Sequence, residues 1–142
     1  MVIRLMNEND IAEVIKIENE LFSLPWKKDD FLRSIKNQAN IYLVVELEEA
    51  ILGYCGLWGI VDEGHINNVA VAKEHQNKGI AYKMLKKLIE EGIIQGLKYF
   101  TLEVRVSNKA AIHLYEKLGF KTVGIRPNFY NAPKEDGIIM WR

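Results

Sequence analysis

The sequence has little of what marks secreted, membrane-spanning or nucleic-acid-binding proteins. Its single cysteine, Cys55, cannot form an internal disulfide, so nothing indicates an oxidising compartment. No stretch approaches the roughly 18 uninterrupted apolar residues of a membrane span, and the start MVIRLMNEND lacks the features of a signal peptide. Nineteen basic residues balance nineteen acidic ones, so the overall positive charge that attracts nucleic acid is missing. We therefore predict a cytoplasmic protein with no direct nucleic-acid binding and no membrane association.

Two further absences narrow the chemistry. His65, His75 and His113 have no metal-ligand spacing with Cys55 or with a carboxylate pair, so no metal is predicted. Cys55 lies in the apolar run ILGYCGLWGI, where the expected role is a buried small hydrophobic residue. The chain of 142 residues, 49% of them hydrophobic, is long enough for one domain with a core, which we place at residues 1–142.

What the chain does contain is a regular succession of strand and helix patterns. Strand patterns open the chain, and its middle alternates strand, helix, strand, helix, strand. This order predicts an α/β protein with a mixed sheet and helices on both faces. The predicted strands are 2–6, 41–47, 51–62, 65–71, 99–106, 120–130 and 137–141. The predicted helices are 7–22, 27–37, one from Ile80 onward, and 107–119. The first is capped by Asn7 and the last by Ser107 or Asn108. The positions of the first helix that recur at helical spacing are Ile11, Val14, Ile15, Glu18, Leu21 and Phe22.

A glycine turn joins one strand to a strongly amphipathic helix. The segment QNKGIA, residues 76–81, follows the strand-like NNVAV and precedes an apolar stripe at helical spacing. The start of a helix presents unpaired N–H groups and a positive dipole end, which together suit an anion. Gly79 lets the backbone approach such a ligand closely. The segment lacks the Gly-Lys-Ser/Thr ending of a Walker loop and the three glycines of the dinucleotide fingerprint. By itself it is therefore more often a structural turn than a phosphate site.

The rest of the chain favours the phosphate site. QNKGIA fits the pattern Q/R-x-x-G-x-G/A and so resembles the pyrophosphate-binding turn of the GNAT superfamily of acyl-CoA-dependent N-acetyltransferases. NNVAV resembles the family strand whose backbone pairs with pantetheine, and the order of elements agrees from end to end. The resemblance implies a single-domain GNAT fold with a mixed, mostly antiparallel central sheet, and acetyl-CoA as the acetyl donor. The residues it assigns to acetyl-CoA are Val69, Ala70, Val71, Gln76, Asn77, Lys78, Gly79, Ile80, Ala81, Tyr82 and Asn108.

A second run is more specific. LEVRVSNKAAIHLYEKLGF, residues 102–120, resembles the ribosomal-protein-alanine N-acetyltransferase branch, which carries L-E-V-R-x-S-N-x-x-A-x-x-L-Y-x-x-x-G-F. LPW at 24–26 and EDGIIM at 135–140 also resemble that branch. The implied acceptor is the N-terminal alanine of a small-subunit ribosomal protein. Pro127 and Gly137 depart from the branch pattern, which has a basic or polar residue and an alanine there. Both departures lie in the hairpin expected to line the acceptor peptide.

Two residues of this run are candidates for catalysis. Glu103 is either a solvated strand residue paired with Arg105 or a lysine, or the general base of acetyl transfer, and the resemblance favours the base. An ordinary glutamate is a weaker base than an α-amine by roughly 3.5 pKa units, so such a base would act through a water or after attack. Tyr115 is either a core residue on a helical stripe or, as the resemblance implies, the hydroxyl that donates to the departing CoA sulfur.

The predicted function is acetyl transfer from acetyl-CoA to the N-terminal α-amine of a protein. Direct attack in a ternary complex is expected because no activated cysteine or serine is visible, with N–H groups near 69–71 polarising the thioester. An α-amine is neutral in about a tenth of molecules at pH 7, far more often than lysine. Phe129 and Tyr130 could form a slot for the peptide with Glu103, and Trp26 could add to it. Each of these aromatic residues could instead belong to the core, which is favoured for Trp26.

Other functions stay open at this point. The acceptor could instead be a small-molecule amine such as a polyamine or an aminoglycoside. The chain could also be an acyl-CoA-binding sensor without catalysis. A structural ribosome-associated protein without a cofactor is disfavoured by the neutral net charge and the intact glycine turn.

Overall fold

The computed structural model describes residues 1–142, which fold around one seven-stranded sheet. The chain begins with a strand, passes through two helices and three strands, and then alternates helix and strand before a final hairpin. The strands are β1 (Val2–Leu5), β2 (Ile41–Leu47), β3 (Ala50–Ile60), β4 (Glu63–Val71), β5 (Tyr99–Arg105), β6 (Lys121–Tyr130) and β7 (Glu135–Trp141). The helices are α1 (Ile11–Leu21), α2 (Lys28–Lys36), α3 (Ile80–Ile94) and α4 (Lys109–Lys117).

The sheet has the strand order β1-β2-β3-β4-β5-β7-β6. Every neighbouring pair is antiparallel except β4 and β5, which run parallel. The predicted mixed, mostly antiparallel sheet is therefore confirmed. The predicted strands are all present, with ends displaced by two residues at most. None of the helices has the length and apolar character needed to span a bilayer.

The first helix starts later than predicted because its N-terminal turn has a different geometry. Asn7 does act as a cap, but it caps a short 3-10 turn at Glu8–Asp10, and α1 begins only at Ile11. The Asn7 side chain accepts from the Asn9 N–H at 2.9 Å, and the Asp10 carboxylate accepts from the Asn7 N–H at 2.8 Å. Arg4 of β1 donates to both Asp10 oxygens at 2.8 Å, which attaches the cap to the sheet.

Alternation along the strands gives the sheet two apolar faces. On one face, Val44 and Tyr54 belong to the core cluster that contains α1 and the Phe31 ring of α2. On the other face, Leu43 and Cys55 belong to the cluster that contains α3 and Tyr115 of α4. The predicted placement of helices on both faces is confirmed. Cys55 is fully buried, as predicted.

The parallel strand pair opens part of the way along its length. β4 and β5 are paired only from Glu63–His65 to Tyr99–Thr101. Beyond that point β4 stays paired with β3 and β5 stays paired with β7, so the two strands diverge. A register shift in the β3–β4 ladder leaves Asn67 without a pairing residue where the divergence starts. The gap that results runs through the sheet and connects its two faces.

Candidate active site

Two cavities open on opposite faces of the sheet and meet at the strand gap. The first, which we call the Glu103 cavity, has a volume of about 440 Å³ and lies on the side of α1 and α2. The second, the α3 cavity, has a volume of about 900 Å³ and lies between the starts of α3 and α4. Val69, Asn108 and Tyr115 line both. A ligand in one cavity can therefore reach a ligand in the other through the gap.

The glycine turn forms one wall of the α3 cavity. Gly79 is the N-cap of α3 with φ +79° and ψ +8°, a left-handed conformation that side-chain-bearing residues rarely adopt. A Cβ built on Gly79 would meet no atom within 4 Å, so the space in front of the helix start is open. The Gln76 amide donates to the Val71 carbonyl at 2.9 Å and ties the turn to the end of β4. The turn thus presents the unpaired N–H groups at the start of α3 to the cavity.

Backbone groups of β4 face the gap in a regular order. The Ala72 N–H donates to the Leu52 carbonyl of β3, and the polar groups of successive strand residues point to alternate edges. Val69 and Val71 therefore direct their N–H groups away from β3 and toward the gap. The Gln76 contact with the Val71 carbonyl agrees with this direction. These two N–H groups are free to bind a ligand that passes between β4 and β5.

All but one of the residues predicted to hold acetyl-CoA line the α3 cavity. Lys78 is the exception: it is exposed and does not line the cavity. Sequence reasoning missed one face of α4, where Ala110, His113, Leu114 and Lys117 line the same cavity. Their i, i+3, i+4, i+7 spacing could have revealed that face. His75 and Lys83 complete the lining near the turn.

Glu103 is a half-buried carboxylate on β5 that lines the Glu103 cavity. It forms no ion pair, because Arg105 is bound elsewhere. Arg105 pairs with Glu135 at 3.2 Å, and it also donates to the carbonyls of Pro133 at 2.8 Å and Asn131 at 3.1 Å. The alternative in which Glu103 pairs with Arg105 is therefore wrong. The Glu103 charge reaches the neighbouring Tyr130, whose pKa is raised to about 12 by burial first and by that charge second.

Tyr115 lies where the two cavities meet. Its ring is 7% exposed and packs edge-on against Phe120 at 6.0 Å, so it is a core residue. Its hydroxyl makes no hydrogen bond within the protein but is not sealed off either, since no buried polar atom is left without a partner. Burial raises the pKa of the hydroxyl far above its ordinary value. The two interpretations of Tyr115 are thus compatible: the ring fills the core, and a protonated hydroxyl faces the gap.

Asn108 caps the helix that carries Tyr115. Its side-chain oxygen accepts from the Ala111 N–H at 3.1 Å, which identifies Asn108 rather than Ser107 as the cap. The Ser107 N–H instead donates to Glu135 at 3.2 Å. The hydrogen bond from Ser107 and the pairing with Arg105 lower the pKa of Glu135. The start of α4 is therefore fixed to the β6–β7 hairpin beside the gap.

The Glu103 cavity is enclosed by two aromatic walls. Trp26 packs on Phe31 at 5.2 Å, as a core residue should, but it also lines the cavity. Phe129 and Tyr130 of β6 form the opposite wall, with ring centroids 5.0 Å apart. The Ser23 hydroxyl donates to the Ala132 carbonyl at 2.5 Å and joins the two walls. The cavity is therefore bounded by aromatic rings from the segment 22–26 and from β6.

A glycine turn at the start of a helix, suited to phosphate, occurs in many folds. Here such a turn stands beside a gap between two parallel strands. A long thioester with a pyrophosphate in its middle suits both features. Its pyrophosphate would meet the helix start, and its pantetheine arm would extend along the free N–H groups of β4. The fold and the site therefore define the class of acyl-CoA-dependent transferases.

Comparison with known proteins identifies the family. The chain belongs to the acetyltransferase (GNAT) family, whose model matches residues 11–120, and it is an acetyl-CoA-dependent acetyltransferase. A Bacillus subtilis (strain 168) protein, provisionally named a ribosomal protein bS18-alanine N-acetyltransferase, is 36% identical over 98% of this chain and 93% of its own length. The enzyme of that name from Salmonella typhimurium is 34% identical, over 97% of this chain and 94% of its own.

A solved structure agrees with these relatives. The crystal structure of the ribosomal-protein-S18-alanine N-acetyltransferase from Escherichia coli superimposes on this chain with a TM-score of 0.91 at 30% identity. The match covers 99% of this chain and 91% of that one. The resemblance that the sequence motifs indicated is thus confirmed at the level of family and fold.

Proposed function

We propose that this acetyltransferase acts on the N-terminal α-amine of a protein, and that its acceptor is the N-terminal alanine of a small-subunit ribosomal protein. The observation that carries the proposal is the meeting of the two cavities at Tyr115, with Glu103 on one side and the glycine turn on the other. The activity for which the relatives are named supports this choice of acceptor. A ribosomal acceptor would also place the chain in the cytoplasm.

The α3 cavity fits coenzyme A in its chemistry. The N–H groups that follow Gly79 suit a pyrophosphate, and the open space before them leaves room for it. Lys83, His113 and Lys117 border the cavity and add positive charge or hydrogen-bond donors for phosphate. Val69 and Val71 offer N–H groups to the amides of the pantetheine arm and to the thioester oxygen. Acetyl-CoA supplies the activated carbonyl; these residues hold and orient it.

Glu103 is proposed as the general base. Its carboxylate has no cationic partner, and it lines the cavity in which the acceptor amine would lie. An α-ammonium must lose a proton before or during attack, and an unpaired carboxylate nearby can accept that proton through a water. Positioned bases of this kind contribute roughly 10²- to 10⁴-fold to rate.

Tyr115 is proposed as the group that stabilises the departing sulfur. Full proton transfer from an ordinary phenol to a thiolate is unfavourable by roughly 2 kcal/mol, and burial makes it harder here. A hydrogen bond from the hydroxyl that strengthens as charge develops on sulfur avoids that cost. The raised pKa keeps this donor protonated throughout the physiological range.

Direct attack of the amine on the thioester is preferred over a covalent enzyme intermediate. Cys55, the only thiol, is fully buried, and burial raises its pKa well above the ordinary value. It lines neither cavity. The amine and the thioester would therefore have to be bound together.

The proposal is tested by measuring CoA release with three acceptors. One is a short peptide that begins Ala-Arg, the second has a blocked N-terminus and an internal lysine, and the third is a polyamine. We expect turnover with the free alanine terminus alone. Glu103→Gln should lower kcat by at least a hundredfold, and Tyr115→Phe by at least tenfold, while the affinity for CoA stays unchanged. Lys78→Ala, at the turn position outside the cavity, serves as the matched control and should keep full activity.

Two results would redirect the proposal. Turnover with the polyamine alone would retain the chemistry but overturn the protein acceptor. CoA binding without turnover of any acceptor, unchanged in both variants, would indicate a sensor that does not catalyse.

A further inference from the structure

We propose that Glu18 of α1 determines acceptor specificity: its buried carboxylate selects an acceptor whose amine arrives as a cation. The inference rests on the proposed function, since it concerns the same acceptor cavity. It assigns to Glu18 a recognition role distinct from the base role of Glu103.

Glu18 is the most deeply buried carboxylate of the Glu103 cavity. It is 4% exposed and lines the cavity from the α1 side. One carboxylate oxygen accepts from the Tyr54 hydroxyl, and the other accepts from the Trp26 N–H at 2.9 Å. Neither Tyr54 nor the Trp26 amide carries a compensating charge. Buried carboxylates are normally paired with a cation, because removing an unpaired charge from water is costly.

The cavity around Glu18 provides no such cation. The acidic and basic residues in its lining are Glu18, Glu103 and Arg105. The Arg105 guanidinium already pairs with Glu135 and stacks at 4.5 Å from the Tyr130 ring centre. Two carboxylates therefore face a cavity of about 440 Å³ with no free positive charge. A terminal ammonium group entering that cavity would supply the missing partner.

The second effect of Glu18 is mechanical. Through the Trp26 N–H it fixes the end of the segment 22–26, which contributes four residues to the cavity wall. A loss of activity in any Glu18 variant could therefore come from a displaced wall rather than from a lost charge. The experiment must separate the two.

Glu18→Gln makes that separation possible. The amide oxygen can still accept from the Trp26 N–H, and the amide nitrogen can donate to the Tyr54 oxygen, whose hydroxyl accepts as well as donates. The shape and both contacts are kept while the charge is removed, but the contact with Tyr54 is reversed and its hydroxyl hydrogen loses its acceptor. Tyr54→Phe is the matched control, because it removes one hydrogen bond to Glu18 and keeps the charge.

The measurement compares two peptides of the same length. One begins with alanine, and the other carries a hydroxyl in place of the α-amine, so it is neutral and acts as a competitive inhibitor. In Glu18→Gln we expect the KM of the alanine peptide to rise about tenfold, with the Ki of the neutral peptide within twofold of wild type. The KM for acetyl-CoA should not change. Tyr54→Phe should leave both peptide constants within about threefold. Thermal unfolding establishes that each variant is folded.

Equal changes in both peptide constants, or no change in either, would overturn the inference and leave Glu18 a structural residue. If wild type acetylates the polyamine and not the peptide, the proposed function fails. The test of Glu18 is then whether Glu18→Gln raises the KM for the polyamine about tenfold. If wild type turns over neither, calorimetric titration of both peptides into the CoA-loaded protein decides. The inference is supported if wild type binds the ammonium peptide more tightly than the neutral one and Glu18→Gln binds the two equally. It is overturned if wild type binds the two peptides equally.

Discussion

Replacing Gly137 by alanine should weaken binding of the acceptor peptide and leave binding of acetyl-CoA unchanged. A Cβ at this position would lie 3.1 Å from Phe129 Cδ2, 3.2 Å from Phe129 Cβ and 3.2 Å from Tyr130 Cε2. Carbon atoms at optimal contact are about 3.5–4.0 Å apart, so the rings must yield by at least about 0.3–0.5 Å. Tyr130 is held by the Arg105 guanidinium at 4.5 Å, and the 40% exposed Phe129 ring is contacted by the Arg126 guanidinium at 5.2 Å. Because one close contact is to the Cβ of Phe129, relief requires the β6 backbone to shift as well as the ring. The displacement therefore falls on Phe129, a wall of the Glu103 cavity.

We expect a small loss of folding stability and a larger loss of affinity for the acceptor peptide. Overpacking costs about 1 kcal/mol where one neighbour can yield, which lowers Tm by roughly 3 °C in a chain of this size. Steady-state kinetics should show the peptide KM about fivefold higher and the acetyl-CoA KM unchanged, because the α3 cavity does not include this hairpin. Gly124→Ala is the matched control on the same hairpin, since its Cβ would meet only Ile139 at an ordinary 3.9 Å. Equal peptide KM values for the two variants, or a change in both substrates alike, would refute the reasoning.

Three further predictions concern the cofactor turn, the buried tyrosine and the first cap. Gly79→Ala should raise the acetyl-CoA KM about tenfold, because alanine in the left-handed conformation at φ +79° costs roughly 1–2 kcal/mol. The increase in Tm that CoA produces should be smaller than in wild type, and an unchanged increase would contradict the prediction. The pH profile of kcat should show no tyrosine limb up to pH 10, because burial raises the pKa of Tyr115; a limb below pH 10 that Tyr115→Phe removes would count against it. Arg4 lowers the pKa of Asp10, so the stability that this pair contributes is present above the unfolded pKa of about 3.9 and is lost as pH falls through the folded pKa. Asp10→Asn should therefore lower Tm at pH 7, and its Tm difference from wild type should narrow in acid; a difference independent of pH would argue against the ion pair.

The parts of the site that sequence predicted are those encoded by local order. The glycine turn, the Asn108 cap and the positions of Glu103 and Tyr115 follow from short runs whose spacing fixes which face each residue occupies. Glu18 also fell on the apolar stripe of α1, and it is buried as that spacing requires.

Long-range partners could not be predicted in the same way. Nothing local to Arg105 shows that its guanidinium binds the hairpin 26 to 30 residues later instead of Glu103. Similarly, the Tyr54 that contacts Glu18 lies 36 residues away on a strand of another pattern. The strand gap was out of reach for the same reason, since period-2 alternation identifies strands but not where two neighbours stop pairing. Contacts of this kind depend on the assembled sheet.

The separation of β4 and β5 positions both the groups proposed to bind the cofactor and the groups proposed for catalysis. β5 pairs with β7 from Thr101 to Arg105, whereas its pairing with β4 ends at Thr101, so the edge of β4 that faces β5 has no paired strand beyond that point. Val69 and Val71 then carry N–H groups inside the sheet that only a ligand or water can satisfy. Beside the same gap, Glu103 lines one cavity and Tyr115 lies where the two cavities meet. A thioester bound along the β4 edge would lie between the proposed base and the proposed donor, so the groups proposed to bind acetyl-CoA would also align it for attack.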